Sequence, residues 1–547
     1  MTIASLSRRY RLKSMCFGMA GLAILGWLNL SHHALTQPEN RPNIILIMAD
    51  DLGFSDLGCY GSEIHTPNLD QMANDGLRFT QFYNNAKCVP SRASLLTGLY
   101  PQQTTTTTDS ARPNIAQALK AVGYRTLMTG KNGLPGLPSR RGFDRYYGVD
   151  SGCCNYFNPG LRRPGEKEPG RKYPNEQRPW ALDGERIRPF TPEDKNFYAT
   201  DAFTDRAIEY LNEYGQEDSP FFLYLSYTAP HFPLHARPED IAKYRGKYMS
   251  GWDMVRHQRY ERLVKLGLID KQWGLSPRDP DVPPWNEIED KDSWDLTMAV
   301  YAAMIDRMDQ GVGRIMAKVR ELGVEDNTLV LFLSDNGACA EDYRAWETTA
   351  PDVPPGPMES YRTQQLPWAN ASNTPFRKFK WWVHEGGIAT PLIAYWPKVI
   401  KNGGRITHEV GHIMDIMPTC IDIAGAGFPG APLEGKSLLP ILQGKQRHGH
   451  EVIYWQFGNS YAVRNGSWKL VAPHPRPRTG IDFFSEENKL ARPGSEIHWE
   501  LYNMDSDRNE LNNLASKYPQ KVKELANLYY AWAAHTSIEI GQNPEND

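Results

Sequence analysis

Residues 43–51 read NIILIMADD, an apolar run that ends at two adjacent aspartates, Asp50 and Asp51. A continuous apolar run of this length fits a strand buried on both faces, as in a parallel sheet covered by helices. The same form recurs at residues 124–131, 221–231, 328–335 and 391–397. Helical patterns lie between these runs, at residues 111–122 and 296–322. The alternation predicts an α/β fold whose large, doubly wound, mainly parallel sheet is flanked by helices.

The carboxyl ends of these predicted strands carry charged or ionisable side chains. Four of the five runs end in Asp50, Lys131, His231 or Asp335. Ligands bind beyond the carboxyl ends of the strands in sheets of this kind. We therefore expect these side chains to surround a charged substrate.

Two of the strand ends predict a site for a hard divalent cation. Asp50 and Asp51 end the first strand, and Asp335 with Asn336 ends a later one in the string SDNG. Oxygen ligands delivered to one sheet edge suit such a cation. An Asp pair taken alone is more simply explained as a helix cap or a turn, but two strand ends of this kind together favour the cation site.

Cys88 opens the string CVPSRASLLTG, in which residues 91–97 can form a helix. The helix N-terminus points at the preceding loop and has Arg92 in its first turn. Free N–H groups and the helix dipole favour negative charge there, so a tetrahedral oxyanion fits this place. The simpler interpretation of an isolated cysteine here is a buried structural residue before a capped helix.

The pattern changes after about residue 445. Three short strand-like pieces, EVIYWQF, YAVRNGSWKLV and HWELYNM, precede a helical stretch at residues 517–535. We predict a catalytic α/β domain over residues 41–445. Residues 446–547 are predicted to form a C-terminal subdomain, a smaller antiparallel sheet with a packed helix. The segments rich in Pro and Gly at residues 158–190 and 274–286 are expected to be surface excursions that shape the site entrance.

The N-terminus has the order of a signal peptide. Arg8, Arg9, Arg11 and Lys13 precede a mostly apolar run at residues 15–30, and a polar stretch follows. We predict a signal peptide over residues 1–36 and a secreted or periplasmic protein. The run is shorter than the roughly 20 residues of a comfortable membrane span, but an uncleaved N-terminal anchor is the alternative and would be the one contact with a membrane.

Composition excludes a general attraction for polyanions. The 547 residues carry a net charge of -3 and give a pI near 6.6, so we expect no nucleic-acid partner. Of the seven cysteines, Cys16 lies in the predicted signal, and the other six show no repeated spacing. The adjacent Cys153 and Cys154 cannot easily pair with each other, so disulfides do not account for every cysteine.

The string C-x-P-S-R at Cys88, followed by LLTG, resembles the formylglycine signature of the sulfatase family, a branch of the alkaline phosphatase superfamily. The likeness continues in order along the chain, through RPNIILIMADDLG, HTPNLDQMANDGLRFTQFY, TAPHFPLH, LSDNG and FRKFKWWVHEGGIATP to WKLV and ELYNM. Within that family the chain looks most like the bacterial arylsulfatase-like enzymes.

The resemblance implies a formylglycine made from Cys88 by a maturation enzyme, and a bound calcium. It implies that Arg92 holds the formylglycine hydrate, and that His231 protonates the departing alcohol or phenol. The implied calcium ligands are Asp50, Asp51, Asp335, Asn336 and the modified Cys88. The implied sulfate contacts are Lys131, His231 and Lys380. His235 is expected to line the substrate pocket.

The implied reaction is the hydrolysis of a sulfuric ester by a covalent route. One hydroxyl of the hydrated aldehyde attacks sulfur and the alcohol leaves. Loss of a proton from the second hydroxyl then expels sulfate and restores the aldehyde. Because a sulfate ester repels a nucleophile, the cation, two lysines and an arginine are needed to neutralise its charge.

One position departs from the family pattern. The family has a histidine two residues after the lysine of a string like GKWHLG, and this histidine is thought to assist the hydrate and its collapse. This chain reads GKNGLPG, so Gly133 stands there. Asn132 could partly substitute by hydrogen bonding, or His235 or His384 could reach in; otherwise the elimination step would be slow.

Other functions of the same site stay open. Phosphonate monoester or phosphodiester hydrolysis is the nearest alternative, because relatives with the same cysteine signature do that chemistry. A protein that binds sulfate esters without turnover is the other, motivated by Gly133. The sequence leaves open a sulfated small molecule, a saccharide or an aryl ester as substrate, although Trp381 and Trp382 beside Lys380 could stack on a ring.

Overall fold

The computed structural model describes residues 41–104, 113–150, 152–427, 432–473 and 497–536. The predicted signal segment at residues 1–36 and the start of the predicted helix at 111–122 lie outside them. From Arg41 onward the chain forms one compact unit. None of the helices that the structure describes is both long enough and apolar enough to span a membrane.

A large sheet forms the centre of the fold, and its middle strands are the runs that the sequence singles out. Within the described ranges it has eleven strands in the order β10-β2-β9-β8-β1-β7-β3-β4-β5-β6, with β11 paired to β2. The strands are β1 (Asn43–Asp50), β2 (Leu77–Tyr83), β3 (Arg125–Gly130), β4 (Arg145–Val149), β5 (Trp180–Leu182), β6 (Glu185–Ile187), β7 (Phe221–Pro230), β8 (Thr328–Ser334), β9 (Ala389–Tyr395), β10 (Arg405–Thr407) and β11 (Gly411–His412).

The central strands β8, β1, β7, β3 and β4 are parallel neighbours. The predicted strand at residues 391–397 corresponds to β9, which pairs antiparallel with both β8 and β2. The predicted excursion at residues 158–190 contributes two short strands to the sheet edge: β5 pairs antiparallel with β4, and β6 pairs antiparallel with β5. The sheet is therefore mainly parallel, as predicted, with antiparallel additions towards both edges.

Helices cover both faces of this sheet. They are α1 (Pro67–Asp75), α2 (Cys88–Thr97), α3 (Ile115–Ala121), α4 (Ala199–Tyr214), α5 (Pro238–Ala242), α6 (Gly251–Lys265), α7 (Lys291–Glu321), α8 (Gln365–Ser372), α9 (Glu385–Ile388), α10 (Ile416–Ala424), α11 (Leu439–Leu442) and α12 (Pro519–His535).

Alternate residues of β1 enter two different apolar cores. Ile45 and Ile47 pack in the core that contains residues of α1, α4, α6 and α7, whereas Ile44 and Leu46 pack with residues of α2, α3, α10 and α11. Successive side chains of a strand point to opposite faces. The two cores therefore lie on opposite sides of the sheet, which confirms the doubly wound architecture.

The C-terminal region forms the predicted small antiparallel sheet. Its strands are β12 (Val452–Phe457), β13 (Ser460–Asn465), β14 (Trp468–Ala472) and β15 (Glu500–Asn503), paired in that order. Tyr529 and Trp532 of α12 pack in one apolar cluster with Val463 and Leu470 of the sheet. The domain boundary near residue 445 stays a prediction.

A cluster of buried charges joins this small sheet to the segment before β9. Glu385 lies 2.9 Å from the Nζ atom of Lys469 and 3.0 Å from Nε of Arg508, and Lys469 also lies 2.8 Å from Glu510. The Glu385 carboxylate also accepts a hydrogen bond of 3.0 Å from the hydroxyl of Tyr83. All four charged side chains are fully buried, so each depends on its partners for compensation.

Candidate active site

Four parallel strands deliver charged side chains to one edge of the sheet. Asp50 is the last residue of β1, and Lys131, His231 and Asp335 directly follow β3, β7 and β8. The Nζ atom of Lys131 lies 2.5 Å from Oδ2 of Asp50. The structure thus brings these strand ends together, as the parallel arrangement predicts.

Asp51 turns sharply after β1 and links three of the strand ends. Its φ is 67°, which is the left-handed region and costs energy for a residue other than glycine. Its N–H donates to Oδ1 of Asp335 over 3.3 Å, and its Oδ1 accepts from Nδ2 of Asn336 over 2.6 Å. The Nε2 atom of His231 lies 3.4 Å from its Oδ2. This turn therefore aims two consecutive carboxylates into one site.

Lys380 reaches the same carboxylate from a loop far along the chain. Its Nζ lies 2.7 Å from Oδ1 of Asp51, and the side chain is fully buried. The backbone N–H of Lys380 donates to the carbonyl of Ala338, and that of Trp381 donates to the carbonyl of Ala86. The loop is thereby fastened to the segments after β8 and before α2.

Cys88 and Arg92 enter from α2, which begins at Cys88 rather than at the predicted Ser91. Arg92 is fully buried, and its Nη2 lies 2.7 Å from Oδ2 of Asp335. Its Nη1 donates to the hydroxyl of Ser226 on β7. The guanidinium therefore fixes α2 against β7 and the end of β8, and holds Cys88 at the site.

The charges in the cluster shift one another's protonation. Burial alone raises the pKa of Asp50, but Lys131, His231 and Arg92 outweigh it and hold that pKa well below its ordinary value. Burial alone lowers the pKa of His231, but Asp51 outweighs it and the pKa rises to about 9. Burial, with Asp50 beside it, raises the pKa of Asp335 to about 6 in spite of Arg92.

The donor set fits a divalent cation. Ligand atoms of Asp50, Cys88 and Asp335 lie within 4.8 Å of one another, as do those of Asp50, Asp51 and His231. Oδ1 of Asp50 and Oδ1 of Asn336 are buried and accept no hydrogen bond from any described residue. Buried carboxylate and amide oxygens without donors are suited to a hard cation.

The structure does not bring His235 into this cluster. Its ring is fully buried, with Nδ1 accepting from the N–H of Tyr156 at 3.3 Å and Nε2 at 2.8 Å from the carbonyl of Ser360. Burial lowers the pKa of His235 to about 4, so the ring is neutral. These contacts show the ring fastening backbone segments, and the pocket-lining role predicted for His235 stays a prediction that they do not support.

The candidates to replace the absent histidine are also engaged elsewhere. The Asn132 side chain donates to the carbonyls of Leu134 and Gly136 and to Asp150, all within its own loop and the end of β4. The Nε2 atom of His384 lies 3.0 Å from Glu500 of the small sheet. Neither side chain is turned towards Cys88 by these contacts.

Gly133 itself lies against the charged cluster. Its φ is 69°, and a Cβ atom built on it would lie 2.8 Å from Cδ of Arg92 and 3.7 Å from Cε of Lys131. The position therefore faces the site that the family's histidine is expected to serve. The backbone there suits glycine, and the neighbouring space is taken by Arg92.

Sequence reasoning missed a small cluster of aromatic and cysteine side chains next to His231. Phe232, Cys153, Cys339 and Tyr361 form a small buried cluster with Trp346 packed against it. The one sequence signal for this cluster was the adjacent pair Cys153 and Cys154, because the pair fits no disulfide pattern. All six cysteines from Cys59 onward are free thiols.

Comparison with known proteins identifies the family. The family model described as Sulfatase matches residues 42–426. This chain belongs to the sulfatase family. A second model, N-sulphoglucosamine sulphohydrolase, C-terminal, matches residues 376–529 and so spans the predicted domain boundary.

Individual relatives agree with that assignment. An uncharacterized sulfatase of Schizosaccharomyces pombe is 32% identical over 91% of this chain and 95% of its own length. An arylsulfatase of Klebsiella aerogenes is 33% identical over 74% of this chain and 91% of its own length. The solved structure of Ps i-CgsB is 26% identical, with a TM-score of 0.63 over 92% of this chain and 94% of that one. The chain is thus a sulfatase, an enzyme that hydrolyses sulfate esters.

Proposed function

We propose that this sulfatase removes sulfate from a sulfated carbohydrate or aryl ester through a formylglycine made from Cys88, with calcium bound at the strand ends. The observation that carries the proposal is that the ligand atoms of Cys88, Asp50 and Asp335 lie within 4.8 Å of one another at the carboxyl edge of the sheet. The carbohydrate class is supported by a similar solved structure, Ps i-CgsB in complex with k-i-k-neocarrahexaose.

The calcium ligands proposed are Asp50, Asp51, Asp335 and Asn336, together with the modified Cys88. The unpartnered Oδ1 atoms of Asp50 and Asn336 support this choice. A calcium ion bound here would supply positive charge to a sulfate oxygen, and the formylglycine hydrate would supply the nucleophilic oxygen.

The chain's own cations then bind and orient the sulfate group. Lys131 and Lys380 hold their ammonium groups 2.5 Å and 2.7 Å from Asp50 and Asp51, so both already point to the place where the ester oxygens would lie. The ion pair between Arg92 and Asp335 holds α2, and therefore Cys88, against the end of β8. Fixed charges of this kind need no rearrangement as negative charge develops, which is where electrostatic catalysis gains most.

His231 is placed to protonate the leaving oxygen. Its Nδ1 lies 2.7 Å from the carbonyl of Phe232, which orients the ring and leaves Nε2 on the side of Asp51. A proton on Nε2 can therefore pass to the departing alcohol or phenol as its bond to sulfur breaks.

The test combines mass spectrometry with turnover. Protein made together with a formylglycine-generating enzyme should contain formylglycine at position 88 and hydrolyse 4-nitrophenyl sulfate, and Cys88→Ala should be folded and inactive. Fully active protein that carries only the thiol would refute the proposed nucleophile. Parallel assays with 4-nitrophenyl phosphate and a phosphonate monoester test the alternative activity, and faster turnover of either would favour it.

We also propose that the protein is exported to the periplasm or the medium. The support is the order of basic, apolar and polar residues over positions 1–36. Fractionation of the producing cells, with determination of the mature N-terminus, tests this. An intact Met1 on protein in the cytoplasm would contradict it.

A further inference from the structure

We infer that Tyr301, Asp56 and Arg259 are positioning residues for the proposed calcium ligand Asp51, and that they set the affinity for the ion although none of them is a proposed ligand. These three side chains are called the support network below. The inference rests on the proposed function, because it takes calcium as the ion at the strand ends.

Asp51 depends on its surroundings to keep its conformation. Its left-handed φ of 67° is unfavourable for a residue other than glycine and persists only where other contacts impose it. Its carboxylate lies 2.6 Å from Nδ2 of Asn336 and 2.7 Å from Nζ of Lys380. Both partners belong to the proposed site, and a bound cation would compete with them for the carboxylate. Contacts to the backbone of Asp51 are therefore better placed to hold the turn both before and after the ion binds.

The backbone of Asp51 has contacts both inside and outside the proposed site. Its N–H donates to Oδ1 of Asp335, which is itself a proposed ligand. Its carbonyl oxygen lies 3.1 Å from the hydroxyl of Tyr301 on α7. Tyr301 is 1% exposed, and its ring packs in the apolar core that contains residues of α7. The Tyr301 hydroxyl is thus a fixed point for the turn that lies outside the ligand set.

Asp56 joins this hydroxyl to the other end of the same segment. Oδ2 of Asp56 lies 2.8 Å from the hydroxyl of Tyr301 and accepts a hydrogen bond of 2.9 Å from the N–H of Gly53. The hydroxyl therefore has two acceptors within reach, the Asp51 carbonyl and the Asp56 carboxylate. Through them Tyr301 ties both ends of residues 51–56 to α7.

Arg259 of α6 supplies the charge that allows Asp56 to be buried. Both side chains are fully buried, and Nη1 of Arg259 lies 2.6 Å from Oδ1 of Asp56. Nη2 of Arg259 lies 2.7 Å from a second carboxylate, that of Glu63. A buried carboxylate that loses such a partner is strongly destabilising, so Arg259 keeps Asp56 in place as an acceptor. Among the residues that the structure describes, the support network belongs to neither group of potential metal ligands.

The experiment measures calcium affinity directly. Protein with confirmed formylglycine at position 88 is freed of metal with a chelator, and calcium is titrated into it by isothermal titration calorimetry. Tyr301→Phe removes one hydroxyl and keeps the ring that packs in the core. Loss of a partner that orients a metal ligand typically weakens metal binding about 10- to 100-fold, so the calcium Kd of Tyr301→Phe should rise about 10-fold or more.

Tyr244→Phe is the matched control, because it also removes a buried tyrosine hydroxyl that contacts a buried carboxylate. The hydroxyl of Tyr244 lies 2.8 Å from Oδ2 of Asp306 on α7, and both side chains are 1% exposed. This pair lies outside residues 51–56. Thermal denaturation should show a similar loss of stability in both variants, whereas the calcium Kd should rise in Tyr301→Phe and stay at the wild-type value in Tyr244→Phe.

Asp56→Asn tests the support network at a second point. Its side chain has one acceptor oxygen in place of two, so it cannot accept from Tyr301 and Arg259 with separate oxygens, and the calcium Kd should rise as in Tyr301→Phe. This variant decides the question if Tyr301→Phe does not fold. A wild-type Kd in folded Tyr301→Phe, or an equal rise in Tyr244→Phe, would overturn the inference and leave the calcium site intact. Failure of the wild type to bind calcium would instead refute the proposed ion, and the inference with it.

Discussion

Replacing Gly133 with histidine tests whether the lack of the family's histidine at this position slows the enzyme. Asn132, His235 and His384 are held by other contacts, so none of the three replaces it in this structure. We therefore expect the wild type to release about one equivalent of nitrophenol rapidly from 4-nitrophenyl sulfate and then to turn over slowly, because the proposed first half of the reaction uses Arg92 and His231, which are in place.

The backbone conformation and the surroundings of residue 133 set the conformational cost of Gly133→His, which has to be compared with its expected gain in rate. A side chain at position 133 must adopt a φ of 69° and lies 2.8 Å from Cδ of Arg92, so Arg92 has to move. The left-handed backbone costs roughly 1–2 kcal/mol for an L-residue other than glycine. A well-placed proton-transfer group is worth about 100- to 10,000-fold in rate. The catalytic gain can therefore exceed the conformational penalty.

Gly133→Ala is the matched control, because it introduces the same Cβ without the ring. Both variants should lose similar thermal stability, and both should lose kcat/KM through displacement of Arg92. Gly133→His should nevertheless show a steady-state rate about 100-fold or more above that of Gly133→Ala. Stopped-flow and steady-state release of nitrophenol, with thermal denaturation of each variant, measure these quantities.

Two results together would refute the reasoning. They are linear product release by the wild type, with no initial burst, and equal steady-state rates for the histidine and alanine variants. That combination would mean that the second half of the reaction is not limiting or that another group assists it.

Three further predictions concern the metal, the acid and the buried ion cluster. Calcium added to chelator-treated protein at 100 times its Kd should stabilise the fold by about 2.7 kcal/mol and restore turnover, and Asp335→Asn should weaken both effects. An unchanged stability on addition of calcium would contradict the proposed ion. His231→Ala should slow esters of poorly leaving alcohols more than those of nitrophenol, and an equal loss across a series of phenols would exclude proton donation. Burial alone raises the pKa of Glu385, but Lys469 and Arg508 lower it to about 2 from an ordinary 4.5, so its stabilising effect is complete above pH 4.5 and disappears as the pH falls towards 2. Lys469→Met should therefore cost about 3–5 kcal/mol at neutral pH and less below pH 4, which acid titration of both proteins would show.

The strand ends were predictable because the signal is local. A buried parallel strand is a continuous apolar run, and the polar residue after it marks its carboxyl end, as at Asp50, Lys131, His231 and Asp335. Parallel pairing then forces these residues to one edge of the sheet. The direction of β9 was not predictable in this way, since an apolar run does not show which way its strand points.

The contacts that were missed join positions far apart in the sequence. Glu385 and Lys469 are 84 residues apart, and each taken alone looks like a solvated charge. His235 lies only four residues after His231, but backbone groups hold its ring, and it does not join the charged cluster. Hydrogen-bond partners of this kind depend on how loops cross, which no local pattern records.

The buried charges around Glu385 have a consequence for the order in which the parts of the chain can fold. Glu385 precedes β9 in the large sheet, but Lys469, Arg508 and Glu510 are synthesised long after it. Until they arrive, a carboxylate that must be buried, only five residues after Lys380, has no compensating charge. The small sheet is therefore not a detachable module: a chain ended at residue 445, or a chimaera joined there to an unrelated sheet, would keep every proposed sulfate-binding residue but bury Glu385 without its charge partners.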